Sequence, residues 1–155
     1  MERNTLVVPV LALAFCLAAT ASAQERRLKK ADLPPAVQRA VDEQSKGGTI
    51  RGYSSETERG QLQYEVEMTV RGHARDVTIA PDGSVLEVEE QVVLESLPAA
   101  VRDGLHKKAG AGTITRVESI TKHGTLVAYE AQVRAGGKRS EVQVGPDGQP
   151  LTHEE

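Results

Sequence analysis

The strongest constraint on the fold is that the chain matches itself at an offset of 64 to 65 residues. At 64, Leu33-Pro34-Pro35-Ala36-Val37 falls on Leu97-Pro98-Ala99-Ala100-Val101, and Gly48-Thr49-Ile50 on Gly112-Thr113-Ile114. At 65, Tyr64-Glu65 falls on Tyr129-Glu130, Pro81-Asp82-Gly83 on Pro146-Asp147-Gly148, and Leu86 on Leu151. Ordered identities that include helix starts, strand positions and turns point to duplication of one supersecondary unit. The spacing therefore predicts two units, residues 33–96 and 97–155.

Each unit reads as one helix followed by a four-stranded antiparallel sheet, an α+β arrangement of two tandem repeats. Asp32 and Ser96 stand where helix caps are expected, with prolines in the opening turns, where a missing N–H costs nothing. Val37, Ala40 and Val41, and then Val101, Gly104 and Leu105, fall at i, i+3, i+4 and form one apolar stripe per helix. Leu62, Tyr64, Val66, Met68 and Val70 alternate with polar residues, the period of a strand with one buried face. Tyr129, Ala131, Val133 and Ala135 repeat that pattern, so Tyr64 and Tyr129 are expected to be buried equivalently against the two helices. The stretches 49–57 and 113–121 are first strands with poorer alternation. Arg59-Gly60, Arg71-Gly72, Gly136-Gly137, Asp82-Gly83 and Asp147-Gly148 supply turn chemistry.

Ahead of the units, residues 1–23 read as a signal peptide: an apolar run from Leu6 to Ala19, then Ala21-Ser22-Ala23, with cleavage before Gln24. The run is shorter than a comfortable membrane span, so the mature form is expected without one, in the periplasm or secreted. Cys16 is the chain's one cysteine and lies inside that run, so the exported form has no disulfide, thiol nucleophile or cysteine-held metal. Residues 24–32 read as a charged linker.

Aromatic content of 3% and a net charge of −3 argue against a nucleic-acid partner. The charge is uneven. Residues 33–96 hold six Lys/Arg against 12 Asp/Glu, whereas 97–155 hold eight against seven.

Chemistry-bearing motifs are sparse. His73, His106, His123 and His153 are scattered singly, and Asp82 and Asp147 sit in lone Pro-Asp-Gly turns without the further ligands of a calcium loop. His153-Glu154-Glu155 reads as a solvated tail. Glu65 with Glu67, and Glu87 with Glu89, alternate outward onto a wet face, where nothing raises a carboxyl pKa. No catalytic residue, cofactor or metal site is assigned on this basis.

Gly60-Gln61-Leu62, Tyr64-Glu65-Val66 and the closing Asp-Gly-x-x-Leu segments 82–86 and 147–151, together with the Leu-Pro helix starts, resemble tandem PepSY-like modules. These are grouped with the beta-lactamase inhibitory protein fold. The resemblance implies sheets side by side with a broad, gently concave face, and a protein- or peptide-binding role of which inhibition is one form. It does not carry over disulfides or an aromatic binding face. The expected function is an exported, non-enzymatic binding module with a protein or peptide partner in the bacterial envelope. The alternative is a small-ligand or cation-binding envelope protein that uses an acidic sheet face. The expected partner-binding residues are Gln63, Glu65, Glu67, Thr69 and Arg71, with Glu130 and Gln132 in the second unit.

Overall fold

The structure, a computed structural model, describes residues 25–153 and 155. The expected signal peptide and its cleavage site lie outside these residues. The chain builds strands β1 (Arg26–Arg27), β2 (Gly48–Glu58), β3 (Gln61–Val70), β4 (His73–Ile79) and β5 (Val85–Val92), then β6 (Thr113–Lys122), β7 (Thr125–Ala135) and β8 (Lys138–Val144). Helix α1 (Pro35–Gln44) precedes β2, and helix α2 (Ala99–Ala109) precedes β6.

These strands form one eight-stranded antiparallel sheet in chain order. This corrects the expectation of two tandem helix-plus-four-strand units. β5 pairs with β6 over six positions, from Glu87↔Lys122 to Val92↔Val117, so the sheet has no break at the middle of the chain. Backbone N–H and C=O groups at the edge of a separate first sheet would be left unpaired, and the returning strand satisfies them. The expected last strand around Leu151 is absent among the described residues, where only an isolated bridge links Val144 to Pro150. The eighth strand comes from the other end. Arg26 and Arg27, within the charged lead-in, pair with Ser55 and Ser54 at the β2 edge.

Both helices pack on the same face. Val66, Val77 and Val88 are direct neighbours across β3, β4 and β5, and Val92, Val117, Ala131 and Val142 continue across β5 to β8. Val88 and Val92 are an even number of residues apart on one strand, so the two rows share a face. Val37 and Val41 of α1 join the first row with Leu33, Tyr64, Met68 and Ile79, while Val101 and Leu105 of α2 join the second with Leu97 and Val144. Each fully buried aliphatic side chain contributes on the order of 2 kcal/mol, and this cross-sheet burial substitutes for the missing aromatics and disulfides. Tyr64 is buried against α1, and Tyr129 is partly buried beside the α2 cluster.

One local expectation, the helix caps, is corrected. The helices begin later than expected, with Pro34 and Pro98 as the residues before the first turn. The Asp32 carboxylate instead accepts the Lys29 N–H at 2.9 Å, and the Ser96 hydroxyl donates to the Val93 carbonyl at 2.7 Å, each within a short 3-10 turn. A residue before proline is pushed towards extended backbone, which holds Leu33 and Leu97 out of the helix. The weak alternation in β2 and β6 also has a cause: register shifts between Ile50 and Gly52, and between Ile114 and Arg116, insert an extra residue and reset the period of two.

The hairpins turn at Arg59-Gly60, Arg71-Gly72 and His123-Gly124, where both residues of each pair have positive φ. A Cβ on Gly60 would meet nothing within 4 Å, so Gly60→Ala carries backbone strain alone. It should cost about 1 kcal/mol in denaturant unfolding, with the fold retained.

Candidate functional site

The face opposite the helices is built by the alternate residues of the same strands. One row runs Glu67, Asp76, Glu89, Ile120, Ala128 across β3 to β7. A second runs Ser54, Glu65, Thr78, Glu87, Lys122, and a third runs Gln91, Glu118, Glu130, Gln143. Three carboxylates therefore stand directly opposite one another on adjacent strands, an arrangement that costs stability unless protons or cations relieve it.

No helix among the described residues covers this face, yet Glu118, Gln143, Ser54, Ile120 and Ala128 are all buried. Local pairing is partial. Arg116 bonds Glu118 at 2.5 Å, Ser54 donates to Glu65 at 3.3 Å, and the Gln143 amide donates to Glu130 at 2.8 Å. Lys122 sits 3.8 Å from Glu87 and 3.3 Å from Glu155. The Glu155 N–H also donates to the Gln143 side chain at 2.8 Å, which brings Glu155 against this face, while His153 and Glu155 themselves are exposed.

Oxygens of Asp76, Glu89 and Glu118 lie within 4.8 Å of one another, and Glu118 is buried. Partial burial is the largest influence on each and pushes all three carboxyls up. For Asp76 the Glu67 charge adds to burial; for Glu118 the Arg116 guanidinium opposes it. Glu89 is pushed up to about 8, first by burial and then by the charges of Glu87, Glu118 and Glu130. Glu65 is raised by burial and by Asp76, against the hydrogen bond from Ser54. The expectation that outward alternation leaves these acids in bulk water is thus corrected: parity assigns the face, but the depth of a side chain depends on its neighbours.

Of the expected partner-binding residues, Gln63, Glu65, Glu67 and Thr69 lie on this face in β3, and Glu130 and Gln132 lie on it in β7. Arg71 is in the β3–β4 turn. Gln63 is engaged by Glu56 and Glu58 at 3.0 Å each. Glu65 and Glu67 adjoin the acidic centre, whereas Gln132 is beyond Glu130, at the far end of the sheet. Sequence reasoning missed Asp76, Glu118 and Arg116. The single readable signal was the run of outward acids in β4 and β5; the pairing of Glu118 beside Gln91 is long-range. Among the described residues, the histidines join no such group: His73 begins β4, His106 is in α2, His123 is in a turn, and His153 follows β8.

Comparison with solved structures finds this architecture elsewhere. A BLIP-like protein from Bacteroides fragilis superposes with a TM-score of 0.59 at 20% identity, covering 79% of this chain and 86% of that one. The fold is BLIP-like. A protein from Bacteroides eggerthii gives 0.63 at 19% identity over 77% of this chain and 86% of its own. A DUF2874 family protein from Bacteroides ovatus gives 0.60 at 16%, over 78% and 86%. No protein-family model and no curated protein matches the sequence. At these identities the likeness is one of backbone, and the acidic rows of this BLIP-like sheet are described from its own residues. No helix among the described residues is long and apolar enough to cross a membrane.

Proposed function

We propose that this chain is an exported, non-enzymatic PepSY-like module of the bacterial envelope that binds a protein or peptide through the helix-free face of its sheet, with inhibition as one outcome of such binding. The observation that carries the reading is the row Glu67, Asp76, Glu89, flanked by Glu65, Glu87, Glu118 and Glu130 and countered by Arg116 and Lys122. A face kept acidic at a cost to folding suits a partner that brings lysine or arginine side chains. Export is supported by the leader-like residues 1–23 and by the periplasmic location ascribed to the Bacteroides eggerthii neighbour. The partner is then a cationic segment rather than a nucleic acid, whose phosphates this face repels.

A calorimetric titration with a lysine-rich peptide tests this. Binding should weaken about tenfold in Glu65→Lys/Glu67→Lys, and its salt dependence should flatten. Equal affinity and equal salt slope in wild type and the double variant would remove this face from the reading. The cation-binding alternative is favoured by one observation, the mutual approach of Asp76, Glu89 and Glu118 within 4.8 Å, since hard cations such as calcium take oxygen ligands. Calcium chloride is the second titrant: saturable calcium uptake without peptide binding would select that alternative.

A further inference from the structure

The helix-free face changes sign at one end. Beyond the Glu118–Glu130–Gln143 row, the next rung across β6, β7 and β8 is Arg116, Gln132, Glu141, and the rung after it pairs Arg134 directly with Arg139. A cavity of about 680 Å³ opens here, lined by Arg116, Gln132, Arg134, Arg139, Ser140 and Glu141 among others. That volume lies in the range of small-molecule sites, which run from roughly 300 to 1,000 Å³.

The charges in this cavity are not balanced among the described residues. Arg134 and Arg139 are exposed cross-strand neighbours, and among the described residues neither makes an ion pair or a side-chain hydrogen bond. Like charges directly opposite destabilise an antiparallel pair. Glu141, one rung away, is bonded to neither of them, and Arg116 is held at one side by Glu118 while 30% of its side chain remains exposed. Two guanidinium groups without an ion pair, and a third shared with Glu118, thus stand with the Glu141 carboxylate around a single hollow. Guanidinium forks match the paired oxygens of carboxylate and phosphate groups, forming two parallel charge-assisted hydrogen bonds. The Ser140 hydroxyl and the Gln132 amide offer further donors at the same place.

We propose that this groove between β6, β7 and β8 is a binding site for an oxyanion, the phosphate or carboxylate group of a ligand, held by Arg134 and Arg139 with Arg116 at its inner wall. The proposal uses residues outside the acidic row, so it stands or falls separately from the reading of the acidic face. With Arg116 already paired to Glu118, Arg134 and Arg139 exceed Glu141 by one positive charge, which an oxyanion would neutralise while turning the repulsion between the two arginines into a shared contact.

The test is a nitrogen-15 NMR titration of the purified protein with inorganic phosphate in one arm and succinate in the other, against sodium chloride at matched ionic strength. Saturable shifts at the Arg134, Arg139 and Ser140 signals are expected, with affinity reduced about tenfold or more in Arg134→Gln/Arg139→Gln. Saturation by phosphate alone assigns a phosphorylated ligand, by succinate alone a carboxylate, and by both the shared chemistry. Shifts that match the chloride control in both arms, or an affinity unchanged in the double variant, would overturn the site. The variant removes two exposed and mutually repelling charges, so its melting temperature in phosphate-free buffer should equal or exceed that of wild type. That measurement separates loss of binding from loss of fold.

Discussion

Gly148→Ala should destabilise the protein by about 3 kcal/mol or more, the largest effect expected for the removal of so little freedom. Gly148 has a φ of +79°, and a Cβ built on it would lie 2.1 Å from the Ala100 carbonyl oxygen and 2.4 Å from its carbon. The obstacle is backbone in the first turn of α2, which cannot rotate aside as a side chain could. The turn itself is also fixed: Gly148 N–H donates to the Gly145 carbonyl at 2.8 Å, Gly145 N–H to the Gln149 carbonyl at 2.8 Å, and Gln149 N–H to the Asp147 carboxylate at 3.0 Å. An added methyl must therefore push α2 off the sheet or break the turn, in addition to the strain of a positive φ. Gly104→Ala meets the same contact from the helix side, since its Cβ would lie 2.1 Å from the Gly148 oxygen. Urea unfolding of Gly148→Ala beside Gly60→Ala separates the two costs, because Gly60 has positive φ without a neighbour. Equal losses at the two sites would show that the α2 contact adds nothing.

The contact also explains which parts of the fold could be read from the sequence. Asp82-Gly83 and Asp147-Gly148 are visible as turns by composition, and both fold into the same hydrogen-bonded loop, with Ser84 N–H on Asp82 and Gln149 N–H on Asp147. The alternation of Leu62 to Val70 assigns Tyr64, Val66 and Met68 to the helix side because a period of two needs no knowledge of partners. The single sheet could not be read this way. Its continuity depends on Val92 meeting Val117 across a helical connection, and similar sequence in the two halves does not say whether their edges stay apart or pair. The absent last strand has a local cause, since Pro150 lacks the N–H that a ladder needs and Gly145 begins a turn there. For the site, parity placed Glu65 and Glu67 on the helix-free face, but the approach of Glu118 to Asp76 and Glu89 follows from strand order. The arginine groove was hidden for a different reason: Arg134 and Arg139 flank Gly136-Gly137, where charged residues read as ordinary solvated turn ends.

Stability should fall as pH rises from 5 to 8.5, and Glu89→Gln should remove most of that fall. The Glu89 carboxyl is raised to about 8 in the folded protein, whereas an unfolded glutamate titrates near its ordinary value of 4.5. Between those values the folded chain holds a proton that the unfolded chain has released, so each step upward in pH favours unfolding. The penalty is absent below about pH 4.5 and complete once Glu89 is ionised above about pH 8. Partial burial, together with the charges of Glu87, Glu118 and Glu130, sets its size; because solvent still reaches part of the carboxyl, screening limits it to about 2 kcal/mol. Asp76, Glu118 and Glu65 are raised too and add a smaller slope of the same sign. In thermal unfolding, Glu89→Gln should match wild type at pH 4.5 and melt several degrees higher at pH 8.5, because the amide keeps the size of the acid without its charge. Parallel curves for the two proteins over the whole range would place Glu89 in ordinary solvent. The same proton links stability to binding: a lysine or a calcium ion seated among Asp76, Glu89 and Glu118 favours their ionised forms, so its binding must release protons near neutral pH. Calorimetry in buffers of different ionisation enthalpy reads that release directly, and zero release would show that the cation sits away from Glu89.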